Sequence, residues 1–377
     1  MSQLVGFKKF VLIDVIPPIM MKEEAQENLE EMVSLINTYG EGEIVQIIQR
    51  RANPHPGTYI GSGKAEEVVE IIRDKKIDAV IINGLATSSQ LFKLTRMFWT
   101  TNPDIEVWDR VDLILHIFQK HARTSEAKLQ IELAQMRHMG PRMYGLSGEL
   151  GRQAGGIGGR GIGETNVELM KRHWRDAIKN AADKLEELEK IRARQLERRK
   201  EIGYKTVSIV GYTNAGKSTL FNRLTKKKKL AKDVLFATLD SAVGKLYLPD
   251  VQQEIMVSDT IGFIRNLPPE LIVAFKSTLM ESIHSNLLLH VIDASDPKMY
   301  EKIAVVRTIL SELDLTQKNQ LYVFNKADKL TYEQKDIIRQ TMSEYDCAFI
   351  SAQTGEGVDD LIKTIEQMFW RKELPKQ

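Results

Sequence analysis

The chain has 377 residues, of which 42% are hydrophobic and 7% aromatic, so it can form two or three folded domains. This composition excludes a disordered or fibrous chain, and no apolar run approaches the ~20 residues that a membrane-spanning helix needs. The single cysteine, Cys347, excludes an intramolecular disulfide and fits a reducing compartment. The N-terminus has neither signal-peptide nor transit-peptide character, so we expect a cytoplasmic protein.

The net charge of +2 is unevenly distributed along the chain. Residues 123–200 hold 17 Lys/Arg and 11 Asp/Glu, so the remainder of the chain is net acidic. A locally basic segment in a nearly neutral protein indicates contact with phosphate, as in a nucleic acid. A solvated helix with mixed charges explains the same count equally well, so charge alone leaves both interpretations open.

Residues 1–122 have the pattern of a small α/β domain. Strands are predicted at Glu43–Ile48, Asp78–Ile82 and Glu106–Asp109, and helices at Lys64–Lys75 and Ser89–Phe98. Strands that alternate with helices favour a parallel sheet.

Residues 123–200 have a helical repeat instead. Between Met170 and Ile191 apolar residues follow one another at spacings of three and four, which predicts one long helix that reaches to about Lys200. A shorter helix precedes it. We expect the two to form an antiparallel hairpin that links the N-terminal domain to the rest of the chain.

A glycine-rich stretch, residues 140–163, lies between these helices and contains ten of the 24 glycines. So many glycines favour a loop over a regular element. Glycine lets a backbone approach a partner closely, and guanidinium groups suit phosphate and stacked bases. We therefore predict a loop that probes RNA; a flexible connector without a binding role is the alternative. The candidate RNA contacts are Arg142, Arg152, Arg160, Lys171 and Arg172.

Residues 204–370 have the pattern of a nucleotide-binding α/β domain, and 371–377 form a short tail. Alternation again predicts a doubly wound, mainly parallel sheet. The predicted strands are Thr206–Val210, Ile255–Asp259, Leu287–Asp293, Leu321–Phe324 and Ala348–Ile350.

The first of these strands leads into a phosphate loop of the form Gly-x-x-x-x-Gly-Lys-Ser. Backbone N–H groups of such a loop surround phosphate oxygens at the start of a helix. The lysine reaches the β- and γ-phosphates, and the serine hydroxyl binds Mg²⁺. The loop consists of Gly211, Tyr212, Thr213, Asn214, Ala215, Gly216, Lys217 and Ser218.

Two further motifs are expected to sense the γ-phosphate. A hydroxyl at Thr238 can bind Mg²⁺ only while the γ-phosphate is present, Asp259 holds Mg²⁺ through water, and Gly262 donates its N–H to the γ-phosphate. An ordinary loop threonine is the alternative for Thr238. Switch I comprises Phe236, Ala237, Thr238, Leu239 and Asp240, and switch II comprises Asp259, Thr260, Ile261 and Gly262.

The last two motifs recognise the base. In Asn325-Lys326-Ala-Asp328 the aspartate can accept both N–H donors of a guanine edge, which adenine cannot supply. Ser351 and Ala352 are expected to help hold the base. Five motifs in this order predict that the chain binds GTP or GDP with Mg²⁺.

Phe263 occupies the position at which Ras-like enzymes carry a glutamine that orients the attacking water. Phenylalanine has no hydrogen-bonding group, so we expect slow intrinsic hydrolysis and catalytic groups supplied by a partner, a monovalent cation or a rearranged loop. Asn214 is a candidate K⁺ ligand, and a role in stabilising the loop is its alternative.

A second glycine-rich turn, Gly57–Lys64, resembles a phosphate loop but has the wrong spacing, and alanine follows its lysine. A helix N-terminus with glycines and a lysine can still bind an anion or RNA phosphate. A second nucleotide site in the N-terminal domain therefore stays open as an alternative.

Four stretches resemble the HflX family of ribosome-associated GTPases in the Obg–HflX group. The stretch Asp259–Lys276 is very similar to that family, and Gly161–Glu168 resembles its Gly-Pro-Gly-Glu-Thr-Gln-Leu-Glu signature. Gly57–Lys64 and His121–Gln130 match as well, so the resemblance covers nearly the whole chain. The chain departs from the family pattern at Ile162, Asn166 and Met170, where the family has proline, glutamine and usually aspartate.

The resemblance implies a helical linker whose loop probes the peptidyl-transferase region of the large ribosomal subunit, and GTP-dependent splitting of stalled ribosomes. Hydrolysis would then be stimulated by the ribosome and would reset binding to the subunit and its rRNA. A large-subunit assembly or RNA-remodelling factor is the alternative. A free-standing metabolic GTPase is a third class, against which Phe263 argues. We expect a monomer.

Overall fold

The computed structural model describes residues 9–153, 162–226, 242–265, 271 and 280–370. The chain divides into two compact units: Met1–Lys120 with Lys128–Lys184, and His121–Ala127 with Leu185–Gln377. This division cuts through both long helices rather than falling at the predicted limits of the helical segment. Among the described residues, no helix combines the length and apolar character that crossing a membrane requires.

The first unit is built on a four-stranded parallel sheet with the strand order β2-β1-β3-β4. One apolar core under the sheet combines residues of β1, β2 and β3 with the buried faces of α2 and α3. A capping box fixes the start of α3, because Thr87 and Gln90 satisfy each other's backbone N–H groups. The elements are β1 (Lys9–Ile16), α1 (Lys22–Tyr39), β2 (Glu43–Arg50), α2 (Ser62–Lys75), β3 (Ala79–Ile82), α3 (Ser88–Trp99), β4 (Glu106–Trp108) and α4 (Arg110–His121).

Two long helices follow, α5 (Ser125–Gln153) and α6 (Ile162–Glu201). Within the first unit the indole N–H of Trp174 on α6 donates to the carbonyl oxygen of Met136 on α5, at 3.0 Å. The predicted loop over 140–163 is wrong for most of that range, since α5 continues to Gln153 and α6 begins at Ile162. Each helical glycine costs only about 1 kcal/mol, and the residues between these glycines are mostly good helix formers. Residues 154–161 lie outside the described part.

The second unit contains a six-stranded sheet with the order β10-β9-β8-β5-β7-β6, parallel except for the edge strand β6. The predicted doubly wound, mainly parallel sheet is confirmed. The elements are β5 (Thr206–Gly211), α7 (Lys217–Thr225), β6 (Ala242–Leu248), β7 (Gln253–Asp259), α8 (Met280–His284), β8 (Leu287–Asp293), α9 (Met299–Glu312), β9 (Gln320–Asn325), α10 (Tyr332–Thr341), β10 (Cys347–Phe349) and α11 (Val358–Trp370).

Candidate nucleotide-binding site

The predicted phosphate loop joins the end of β5 to the start of α7, so its backbone lies at the carboxyl edge of the sheet. At two positions of the loop, neighbouring atoms approach the backbone so closely that only glycine fits. A Cβ at Gly211 would lie 2.2 Å from the carbonyl oxygen of Val291, and one at Gly216 would lie 2.2 Å from Nδ2 of Asn325. Gly216 also has a φ of 90°, which favours glycine.

Lys217 is buried at the first position of α7, and its Nζ donates to the carbonyl oxygen of Tyr212 at 2.7 Å. Burial lowers the pKa of Lys217 to about 8, although the nearby Asp259 carboxylate acts in the opposite direction. A phosphate beside this ammonium group would favour its charged form. The lysine is therefore placed to bind phosphate.

Ser218 and Asp259, which the sequence predicts as magnesium residues, are adjacent in the structure. The Ser218 hydroxyl donates to Oδ2 of Asp259 at 2.8 Å, and Asp259 is fully buried at the end of β7. Hydroxyl and carboxylate oxygens are ligands that Mg²⁺ prefers, so this donor set fits that ion. Thr238 and the rest of predicted switch I, residues 236–240, lie outside the described residues.

Switch II begins at Asp259 and passes close to the phosphate loop. The hydroxyl of Thr260 donates to the carbonyl oxygen of Ile209 at 2.6 Å. A Cβ at Gly262 would lie 2.7 Å from Cγ2 of Thr213 and 2.9 Å from Nζ of Lys217. The backbone at Gly262 therefore runs directly beside the groups expected to bind phosphate.

Phe263 is 2% exposed and belongs to an apolar cluster with Val210, Tyr212 and Leu288. Its side chain thus fills the core beneath the phosphate loop rather than facing a bound phosphate. This burial explains why an apolar residue is suited to the position.

The base-recognition residues converge on Asn325, which is buried at the end of β9. Its Nδ2 donates to the carbonyl oxygen of Ala215 at 2.8 Å, and its Oδ1 accepts from the backbone N–H of Ala352 at 2.9 Å. Ser351 and Ala352 are buried beside it, whereas Asp328 is exposed, as an acceptor for a ligand must be.

Asp293 was not predicted from the sequence, and its Oδ2 accepts from Nζ of Lys326 at 2.6 Å. Its position at the carboxyl end of β8 was the available signal, because ligand-binding residues of parallel sheets gather there. Asn214 is exposed with a φ of 62°, so its side chain is accessible to a ligand.

Arg142 forms ion pairs with two carboxylates within the first unit. Its guanidinium group donates to Asp109 and Asp112, at 2.7 and 2.5 Å, and His138 also contacts Asp109 at 3.2 Å. Burial would raise the pKa of Asp109, but the hydrogen bond from His138 and the charge of Arg142 hold it below its usual value. Because this guanidinium group is already paired with two buried carboxylates, the structure shows a stabilising role for Arg142, and its contact with RNA stays a prediction.

The structure describes only some of the other candidate RNA contacts. Lys171 and Arg172 lie on α6, half-buried and exposed respectively. The side chain of Arg152 and all of Arg160 lie outside the described part of the chain.

Residues of the turn Gly57–Lys64 bond to other residues of the N-terminal domain. The N–H of Gly61 donates to Oε1 of Gln49 at 2.7 Å, and Nζ of Lys64 lies 2.6 Å from Glu67 on the same helix. This geometry gives no support to a second nucleotide site.

The order of these groups on a doubly wound sheet defines a GTPase with a phosphate loop, and three family comparisons agree. Residues 206–326 match the family described as 50S ribosome-binding GTPase. Residues 26–119 and 121–199 match the N-terminal and middle regions of the GTP-binding GTPases.

Similarity to individual relatives shows which family of phosphate-loop GTPases the chain belongs to. The chain is 42% identical over 358 residues to the GTPase HflX of Caldanaerobacter subterraneus, covering 95% of this chain and 81% of that one. It is 40% identical over 346 residues to GTPase HflX of Escherichia coli K12, covering 92% and 80%. The chain therefore belongs to the HflX family of GTPases, and it hydrolyses GTP.

A solved structure supports the assignment of the fold. The chain is similar to a GTP-binding protein from Sulfolobus solfataricus in complex with GDP, with 25% identity and a TM-score of 0.52. The similarity covers 96% of this chain and 98% of that one. A second structure, described as a complex of SsGBP and GDP, has 26% identity and a TM-score of 0.56, covering 98% and 100%.

Proposed function

We propose that this chain uses GTP to control its binding to the large ribosomal subunit, and that its GTP form separates or rescues stalled ribosomes. The observation that carries the proposal is the burial of Phe263 at the position where a water-orienting side chain is otherwise expected. A GTPase with this arrangement depends on a partner to complete its catalytic site. The match of residues 206–326 to a family described as 50S ribosome-binding GTPase supports the large ribosomal subunit as the proposed partner.

In the proposed mechanism the chain binds and orients the triphosphate. The N–H groups at the start of α7 and the ammonium group of Lys217 bind the β- and γ-phosphates. Ser218, Thr238 and, through water, Asp259 would hold Mg²⁺, which when bound neutralises charge that develops on the phosphates. Gly262 would donate its N–H to the γ-phosphate, so that switch II responds to hydrolysis.

The two long helices form the proposed RNA-probing arm. The stretch at 154–161, with five glycines, joins them, and α6 presents Lys171 and Arg172 on the way to it. Arg152 and Arg160 stay proposed contacts at this end, because their guanidinium groups suit phosphate and stacked bases.

Deletion of residues 145–160 tests the arm. We expect GDP affinity to stay within twofold, because the nucleotide groups lie beyond residue 205, while stimulation of GTP hydrolysis by large ribosomal subunits is lost. Full stimulation of the shortened protein would contradict the proposal.

A monovalent cation is the second proposed contributor to hydrolysis. The exposed Asn214 can offer its carbonyl oxygen to K⁺ beside the phosphates, which would supply positive charge in the transition state. We expect hydrolysis with ribosomes present to be faster in K⁺ than in Na⁺, and Asn214→Ala to remove the difference. Equal rates in the two salts would exclude this role.

A further inference from the structure

Hydrogen bonds join the described residues after Gly262 to the phosphate loop, and three of them bear on the position of Gly262. The N–H of Thr213 donates to the carbonyl oxygen of Phe263 at 2.8 Å, and the N–H of Phe263 donates to the carbonyl oxygen of Gly211 at 3.2 Å. The backbone N–H of Arg265 donates to the hydroxyl oxygen of Tyr212 at 2.8 Å. The first two bonds join backbone groups that nearly every residue carries, but the third requires a hydroxyl group at residue 212.

These bonds set where Gly262 lies. Ile209 on β5 pairs with Asp259, whereas Tyr212 pairs with Phe263, so the register shifts by one residue between the two pairs. The extra residue makes the backbone over 260–262 bulge out of the ladder, which is how strands re-aim groups beside functional sites. The bulge brings Gly262 against Thr213 and Lys217, as the Cβ distances above show.

The hydroxyl of Tyr212 is itself held in place by the packing of its ring. The side chain is 7% exposed, and it packs in the apolar cluster with Phe263 and Val210. The ammonium group of Lys302 on α9 lies 5.1 Å from the ring centroid, within reach of a cation–π interaction. A ring confined in this way presents its oxygen at one place, so the N–H of Arg265 is directed to that place.

We propose that Tyr212 is a positioning residue for GTP hydrolysis. By accepting the N–H of Arg265, its hydroxyl fixes the far end of the bulge, and the bulge then holds the N–H of Gly262 where the γ-phosphate binds. The inference rests on the proposed contact between Gly262 and the γ-phosphate. The hydroxyl group of Tyr212 thus acts on hydrolysis through Gly262, and not by touching the nucleotide.

Tyr212→Phe tests this role, because it removes one oxygen and leaves the ring. We expect the single-turnover rate of GTP hydrolysis at saturating GTP to fall about 3- to 10-fold, the range of one net hydrogen bond. The GTP concentration for half-maximal rate should stay within twofold. Hydrogen–deuterium exchange should become faster at the Arg265 amide and stay unchanged at the Thr213 amide.

Tyr247→Phe is the matched control, since Tyr247 is an exposed tyrosine on β6 of the same domain. This variant should change neither the single-turnover rate of GTP hydrolysis nor hydrogen–deuterium exchange at the Arg265 amide. An unchanged hydrolysis rate in Tyr212→Phe, or a rate loss matched by an equal loss of GTP affinity, would overturn the inference.

A Gly262→Ala variant distinguishes the role of Tyr212 from the proposed contact between Gly262 and the γ-phosphate. If it loses hydrolysis while Tyr212→Phe does not, only the role of Tyr212 fails. If Gly262→Ala hydrolyses GTP normally, the proposed γ-phosphate contact fails as well.

Discussion

The side-chain amide of Asn325 donates to the backbone carbonyl oxygen of Ala215, at 2.8 Å, and so ties the base-recognition motif to the phosphate loop. The same amide accepts from the N–H of Ala352 on the last base-binding segment. Asn325 therefore joins three nucleotide-binding segments that lie far apart in the chain. Its role in this structure is to hold those segments together.

Asn325→Asp should weaken GDP binding about 10- to 100-fold, because it replaces a donor by a carboxylate facing the Ala215 carbonyl and leaves that buried group unpaired. Calorimetric titration with GDP measures the loss. Asn319→Asp, at an exposed position just before β9, makes the same chemical change and should leave the affinity unaltered. Equal affinities for the two variants would contradict this account of Asn325.

Nucleotide affinity should depend on pH through Lys217. Burial lowers the pKa of Lys217 to about 8 in the free protein, and bound phosphate favours its charged form. Binding then takes up a proton above that pKa, so GDP affinity should fall as pH rises through 8, by up to about tenfold per pH unit. Titrations between pH 7 and the onset of guanine ionisation check this, and a flat affinity would contradict it.

Gly262→Ala should abolish most GTP hydrolysis while GDP binding changes much less. A Cβ at this position would lie 3.0 Å from the Cα of Thr213 and 2.9 Å from Nζ of Lys217, so the switch backbone must move away from the phosphate loop. Gly63→Ala is the control, since a Cβ there would meet nothing within 4 Å. Gly262→Ala should lose hydrolysis much more than GDP affinity, whereas Gly63→Ala should change neither quantity.

Arg142→Leu should lower the free energy of unfolding by about 3 kcal/mol, because it leaves two buried carboxylates without their cation. Arg172→Leu, on the exposed face of α6, should leave stability unchanged and reduce stimulation by large subunits. Chemical denaturation and ribosome-dependent hydrolysis measure the two effects. A stable Arg142→Leu protein that loses only the stimulation would contradict the stabilising role and support Arg142 as an RNA contact.

The nucleotide-binding half of the chain was largely predictable because its motifs have fixed spacing and its strands are short apolar runs bounded by turns. Strand β1, Lys9–Ile16, was not predicted, because a short buried apolar run has no periodicity that separates strand from helix. The strand lies between β2 and β3 and is buried along most of its length.

Pairings between distant segments were not predictable from the sequence. The contacts of Arg142 with Asp109, of Asp293 with Lys326, and of Tyr212 with the Arg265 amide depend on which strand ends the fold brings together. The helix that covers most of the glycine-rich stretch was not predicted, because the many glycines favour a loop while the helix formers between them favour a helix.

The most direct test of the proposed function is the sedimentation of intact ribosomes after incubation with the protein and a non-hydrolysable GTP analogue. We predict that the ribosomes separate into subunits, that the protein sediments with the large subunit, and that GDP in place of the analogue leaves the ribosomes intact. Intact ribosomes in the presence of the analogue, with the protein bound only to immature large subunits, would contradict the proposal and indicate an assembly factor instead.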